Sequence, residues 1–168
     1  MEKVELGSAV LYCGDCLDVM PELRAKSIKL CVTDPPYMIG MSSDAKRRIN
    51  PWMNLVNAAA WYSQVYRQIS RVLKNDSALW TFLNWQTLPT VQKAAFEAHR
   101  DIVNVLVWDK QALGLGLRGL RPSYELAAFM PSGTFKINDR SIPDIKRYKW
   151  TGYKPNKHSA EKPEALIS

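Results

Sequence analysis

Apolar positions in this chain fall into short runs broken by turn residues, with two longer stretches where they recur every three or four positions. Residues 4–6 and 9–12 flank Gly7-Ser8 and predict two strands joined by a tight turn. Gly14 ends the second strand. Asp15 stands where the N-cap of a helix from Cys16 to about Leu23 belongs, with Leu17, Met20 and Leu23 inward. Residues 28–33, apolar and β-branched, predict a buried strand. Residues 54–74 place Ala58, Trp61, Val65, Ile69, Val72 and Leu73 at helical spacing, and Asn75-Asp76 ends that helix. A buried strand over 78–82 follows, then a loop at Asn84-Trp85-Gln86. A helix over 89–98 is opened by Pro89, with Val91, Ala95 and Phe96 inward. Residues 102–108 and 124–130 predict two further strands. Strands alternating with helices predict βαβ units: a partly parallel sheet of about five strands with helices on both faces.

The strand over 28–33 is followed at once by Asp34-Pro35-Pro36-Tyr37. Both prolines lack an N–H donor and fix φ, so the carbonyls of Asp34 and Pro35 cannot be absorbed into a regular ladder. A carboxylate, a free carbonyl and a ring then stand at the carboxyl end of a strand, where α/β proteins place their ligands. This set suits a planar amine. Two acceptors on its two N–H bonds localise the lone pair of an exocyclic amino group, and the ring of Tyr37 can stack on a base that has left its helix. An Asp-Pro-Pro turn with a surface tyrosine is the ordinary alternative; the position straight after a strand favours the site.

Other motifs are weaker. Cys13-Gly14-Asp15-Cys16 has redox spacing, but no second C-x-x-C follows and His99 and His158 are distant in sequence. Unreactive, buried thiols are therefore expected in place of a redox pair or a zinc site. Residues 114–119 fit G-x-G-x-x-G, yet that fingerprint must open a helix, and Pro122 followed by a strand leaves no room for one. Arg118 and Arg121 on this loop suit a lip over a base or phosphate, and Trp108 before it reads as ordinary packing. Residues 38–52 have no periodicity. Their Lys46-Arg47-Arg48 either reaches phosphates beside the Asp34 turn or belongs to a solvated loop. Over 131–157, Lys136, Arg140, Lys146, Arg147, Lys149, Lys154 and Lys157 interleave with Phe135, Tyr148, Trp150 and Tyr153, opposed only by Asp139 and Asp144. Such a mixture fits a surface that touches phosphates and stacks on bases.

Composition narrows the setting. A length of 168 residues suits one domain with its own core. The net charge of +7 favours a polyanionic partner. No apolar run approaches the roughly 20 residues of a membrane span. The first residues lack the pattern of a signal peptide. Three irregularly spaced cysteines point to a reducing, cytoplasmic setting.

Asp34-Pro35-Pro36-Tyr37 resembles the catalytic motif of the S-adenosylmethionine-dependent amino-methyltransferases that act on DNA. Gly14-Asp15-Cys16-Leu17, Trp108-Asp109-Lys110, Arg121-Pro122-Ser123-Tyr124-Glu125 and His158-Ser159-Ala160-Glu161-Lys162-Pro163 match in kind and order. The chain most resembles the permuted, β-class members, in which the catalytic half precedes the main cofactor-binding half. The resemblance implies a three-layer, Rossmann-like α/β methyltransferase fold with a partly parallel sheet. Residues 1–168 would be its catalytic portion and 131–157 a short target-recognition segment. It implies methyl transfer to the N6 amine of a flipped adenine in double-stranded DNA, as in restriction–modification, with Asp34, Pro35, Pro36 and Tyr37 as the catalytic motif and no metal. Asp15 would contact the cofactor's adenine, while Asp34, His158, Glu161, Lys162 and Pro163 would also line its site, the last four at the methionine end. Lys46, Arg47, Arg48, Arg118, Arg121, Lys146, Arg147 and Lys149 would hold DNA.

Adenine is preferred to the N4 of cytosine because the family usually carries Asp first in the motif for adenine and Ser for cytosine. Alternatives are N4-cytosine methylation, a non-catalytic DNA-binding subunit or remnant, and methylation of a protein glutamine by relatives that use Asn-Pro-Pro-Tyr. One departure stands out: the family's F-x-G-x-G cofactor loop is absent from the sequence. The fold is thus expected to be incomplete, with an unpaired sheet edge. A second polypeptide or a further C-terminal segment is expected to supply that loop, and the isolated chain is expected to bind cofactor poorly and to associate with a partner or another copy.

Overall fold

The computed structural model describes residues 1–37, 55–114, 119–150 and 161–167. β1 (Glu2–Leu6) and β2 (Ala9–Cys13) form the predicted hairpin, turned through Gly7 at φ +59°, a value that favours glycine. Asp15 caps α1 (Cys16–Val19), its carboxylate accepting from the Leu17 amide at 2.8 Å. The helix does not run on to Leu23. Pro21 tightens the chain into a 3₁₀ turn over Met20–Glu22. Met20 is buried, and Leu17 and Leu23 pack on the core as predicted.

β3 (Ile28–Thr33), α2 (Leu55–Val72) and β4 (Leu73–Leu83) make a parallel βαβ unit. After α3 (Leu88–Glu97) come β5 (Asn104–Asp109), β6 (Tyr124–Ser132), β7 (Ile145–Arg147) and α4 (Glu164–Ile167). The sheet order is β3-β4-β6-β5-β7. β3 pairs β4 and β5 pairs β7 in parallel, whereas β6 is antiparallel to both its neighbours. Four strands therefore point one way and β6 alone runs against them, so the expected partly parallel sheet is found.

The two faces of the sheet differ. Leu79, Thr81 and Leu83 of β4 and Leu126, Ala128 and Met130 of β6 face α2 and α3, meeting Tyr62, Val65, Tyr66, Ile69, Val91 and Ala95. Full burial of each large side chain stabilises the fold by roughly 1.5–3 kcal/mol. Tyr66 satisfies its buried hydroxyl by donating to Thr81 Oγ1 at 2.8 Å. Arg100, also buried, donates to the hydroxyls of Ser70, Ser77 and Ser132 and so bolts α2 to β4 and β6. On the opposite face Leu30, Val32, Trp80, Phe82, Leu106 and Phe129 look across a cleft of about 920 Å³ to the 135–146 segment and α4. That face is thus layered by a loop and one short helix among the described residues, where full helices were expected on both sides.

Four further expectations are corrected. The strand over 28–33 is not buried: Leu30 and Val32 are 52% and 44% exposed. Among the described residues β3 ends the sheet, and these two side chains point away from the helices. α2 stops at Val72 rather than Lys74, because Leu73 already pairs with Ile28 as the first residue of β4. Phe96 is 76% exposed. The inner stripe of α3 is Val91, Ala94, Ala95 and then Ala98, at helical spacing that leaves position 96 on the flank. β7 lies in the basic tract where no strand periodicity shows; backbone pairing with β5 holds it there, and Trp108 Nε1 donates to the Tyr148 carbonyl at 2.7 Å. Trp108 itself is buried packing, as read. No helix among the described residues is long and apolar enough to cross a membrane.

Candidate active site

The carboxyl ends of β3, β4, β5 and β7 and the start of β6 share one rim of the sheet. Asp34 leaves β3 there, directly after Thr33, which pairs with Thr81. Pro35 is buried and Pro36 exposed. The Pro36 carbonyl accepts from the Tyr62 hydroxyl of α2 at 2.7 Å, which fixes the turn to the core. Among the described residues none donates to the Pro35 carbonyl.

Tyr37 is half-buried and donates its hydroxyl to Glu125 Oε2 at 3.0 Å. Burial first, then the charges of Glu125 and Asp34, push this hydroxyl far above the usual phenol range, so it stays protonated and remains a donor. Burial and the Asp34 charge raise Tyr62 likewise.

Around these groups lies a cluster of two carboxylates and two ammonium groups. Lys162 Nζ is 2.8 Å from Asp34 Oδ2 and 3.2 Å from Glu125 Oε2, and Lys110 Nζ is 2.8 Å from Glu125 Oε1. Lys162 is 7% exposed, whereas Asp34 is 39% exposed and turns one side outward. The Lys162 ammonium also sits over the rings of Tyr37, at 5.5 Å, and Phe82, at 5.2 Å. Lys110 lies over Trp108 and Trp150. Burial alone pushes the Glu125 carboxyl up, but the Lys110 hydrogen bond and the two ammonium charges outweigh it and hold it below the usual carboxylate range.

Of the residues singled out in the sequence, the structure joins Asp34, Pro35, Pro36, Tyr37 and Lys162 in one place. Pro163 leads into α4, and Glu161 beside it is exposed. Asp15 is exposed at the end of β2 and does cap its helix. Arg121 donates to the carbonyls of Gly114 and Leu113, bracing its own loop at the rim. Arg147 and Lys149 are exposed at the carboxyl end of β7, where Arg147 lies 3.5 Å from Asp109. Lys146 points instead into the cleft on the far face. Lys46, Arg47, Arg48, Arg118 and His158 lie outside the described residues. Cys13 and Cys16 are free thiols, Cys13 exposed against expectation because the hairpin is uncovered. Burial raises the Cys16 thiol, making it less reactive, and no metal-binding group is found among the described residues.

Glu125, Lys110, Phe82 and Tyr62 complete the site and were given no role from sequence. Glu125 had one available signal: it closes the Arg121–Pro122–Ser123–Tyr124–Glu125 run that carries the resemblance.

A mixed α/β sheet with a carboxylate–proline–proline–tyrosine turn at the strand end defines the methyltransferase class of fold. Residues 28–168 match the family described as DNA methylase, the N6/N4 amino-methyltransferases, and the chain belongs to it. It is 27% identical over 154 residues to "Putative methylase YubD" of Escherichia coli (strain K12), covering 89% of this chain and 63% of that protein. Among solved structures, the PvuII DNA methyltransferase (cytosine-N4-specific) aligns with a TM-score of 0.64 at 12% identity, covering 86% of this chain and 58% of that one. The M1.HpyAVI–SAM complex aligns with a TM-score of 0.60 at 15% identity, covering 93% and 72%. At these identities the structural likeness is one of fold. The chain spans less than two thirds of the length of YubD and of the PvuII enzyme.

Proposed function

We propose that this chain carries the amine-binding and catalytic portion of a DNA methyltransferase that transfers a methyl group from S-adenosylmethionine to the N6 amine of a flipped adenine. The observation that carries the reading is that the part-exposed Asp34 carboxylate and the Tyr37 ring share one rim and one ion cluster, on a turn whose Pro35 carbonyl accepts from no described residue. Asp34 and Pro35 accept from the two N–H bonds of the amine and aim its lone pair outward, while Tyr37 stacks on the base. The cofactor, when bound, supplies a methyl group on a sulfonium, open to in-line attack. Asp15 and Asp34, exposed carboxylates that each keep one oxygen beyond the helix cap and the Lys162 pair, would accept from the amino groups of such a cofactor. Family membership and the named type II methyltransferase M2.MboI of Moraxella bovis, 26% identical over 112 residues, support the substrate class.

Adenine over cytosine rests on the familial preference for Asp at the first motif position; the acceptors themselves suit either amine. Arg121, Arg147 and Lys149 at the same rim supply phosphate contacts. The test is a tritiated-methyl assay on the natural full-length protein with DNA, RNA and protein offered, followed by nucleoside analysis. N6-methyladenine is the expected product. N4-methylcytosine would overturn the base assignment, and label in protein alone would overturn the substrate class.

A further inference from the structure

Glu125 and Lys162 have no part in the transfer as written, yet they touch both groups that do. We infer that they are the positioning residues of the amine site, coupling the Tyr37 ring to the Asp34 carboxylate through a single oxygen. Glu125 Oε2 accepts the Tyr37 hydroxyl at 3.0 Å and the Lys162 ammonium at 3.2 Å, and Lys162 reaches on to Asp34 Oδ2 at 2.8 Å. Lys110 holds the other oxygen of Glu125 at 2.8 Å, so the carboxylate cannot swing away. The three elements concerned are distant in sequence: the end of β3, the start of β6 and the residue two places before α4.

The charge balance explains why both lysines are present. Asp34 and Glu125 crowd one phenol, and two carboxylates sharing a site push one of them toward protonation. A protonated Asp34 would present a donor to the amine, which needs an acceptor. Two ammonium groups bring the cluster to zero and favour the ionised form of Glu125. As a plain stabiliser the arrangement is poor, because burying an ion pair costs much of what its attraction returns. Its return lies in geometry: Lys162 grips the inner side of Asp34 and leaves the outer side to the ligand.

This inference rests on the reading of Asp34 as the amine acceptor, so its test needs no methyl donor. The Tyr37 ring and the Asp34 side-chain carbon are observed by ¹³C NMR at one neutral pH in the wild type, Lys162→Met, Lys162→Arg and Glu125→Gln, with circular dichroism and melting curves to establish folding. Lys162→Met should broaden or displace both sets of signals, because the ammonium bridges Glu125 Oε2 and Asp34 Oδ2, and Lys162→Arg should restore them. Glu125→Gln should broaden the Tyr37 ring signals as the hydroxyl loses its charged anchor. Unchanged Tyr37 and Asp34 signals in folded Lys162→Met overturn the inference. If that variant does not fold, a Lys162→Arg protein whose signals are displaced as far as those of a Lys162→Gln protein does the same. In the full-length enzyme, Lys162→Met should lower kcat several-fold with DNA affinity unchanged, and Lys162→Arg should recover it. An equal loss in both variants would mark a merely structural lysine. Absence of methylation in all forms would count against the proposed reaction while leaving the NMR result standing.

Discussion

The Tyr62 hydroxyl donates to the Pro36 carbonyl at 2.7 Å, so a residue wholly inside the core holds the turn that presents Asp34. The bond reaches from the second turn of α2 across to the end of β3. It joins the packing of the helix layer to the placement of the Asp34–Tyr37 turn, and the first prediction follows from it. Tyr62→Phe keeps the ring and loses the tie, which should cost about 1 kcal/mol of stability and several-fold in turnover. Urea unfolding and a methylation assay check both; unchanged turnover would show that the prolines alone fix the turn.

Asp34→Ala should abolish methylation by the full-length protein while DNA affinity changes little, because phosphate contacts carry most of that affinity. Tyr37→Ala should lower both base capture and turnover. From the sequence, phenylalanine is expected to serve at 37 nearly as well as tyrosine. The hydroxyl's bond to Glu125 alters that expectation: Tyr37→Phe should retain stacking but turn over several-fold more slowly, about 1 kcal/mol of lost orientation. Single-turnover rates and gel-shift affinities separate the cases, and a Phe variant as fast as the wild type would make the Glu125 bond incidental.

Salt dependence should distinguish the basic residues. Arg147 and Lys149 stand on the rim, and each phosphate contact contributes about −0.9 to the slope of log affinity against log salt. Neutralising both should flatten the slope by roughly 2, whereas Lys146→Gln, in the far-face cleft, should leave it nearly unchanged. Equal effects at all three positions would place the DNA elsewhere.

Acid should weaken the cluster in a defined sense. Glu125 is held below the usual carboxylate range in the folded chain. Its contribution is therefore full above its unfolded value of about 4.3 and is lost as pH falls through the lower folded value. Denaturation midpoints measured between pH 7 and 3 should fall more steeply for the wild type than for Glu125→Gln; parallel curves would mean that the pair contributes nothing.

The turn after β3 was legible because its signal is local. A β-branched run, an acid and two prolines mark a strand end in the sequence itself, although the Tyr62 bond that ties the turn to α2 does not show there. Glu125 was not: one acid at the head of an apolar strand looks like a solvated cap, and its partners Lys110, Tyr37 and Lys162 come together only through the sheet order. Strand β7 escaped for a similar reason, since Ile145-Lys146-Arg147 has no apolar alternation and is held by backbone pairing and one indole. The exposed β3 face misled in the other direction. Leu30 and Val32 have the composition of a buried strand, but composition does not tell which side of the sheet receives the helices.

The reversal of β6 separates two kinds of change in this molecule. Lys110 and Glu125 sit at the two feet of the connection that joins β5 to β6, pinned by the Trp108–Glu125 register and by the Lys110 amide donating to the Ser123 carbonyl at 2.9 Å. The described residues beyond the clasp bind one another, the Gly114 amide donating to the Pro122 carbonyl and Arg121 to the carbonyls of Leu113 and Gly114. Side chains there can be exchanged while the ion pair beneath keeps its place. A connection of this kind lets contacts above the rim diversify in evolution or in the laboratory at little risk to the chemistry below.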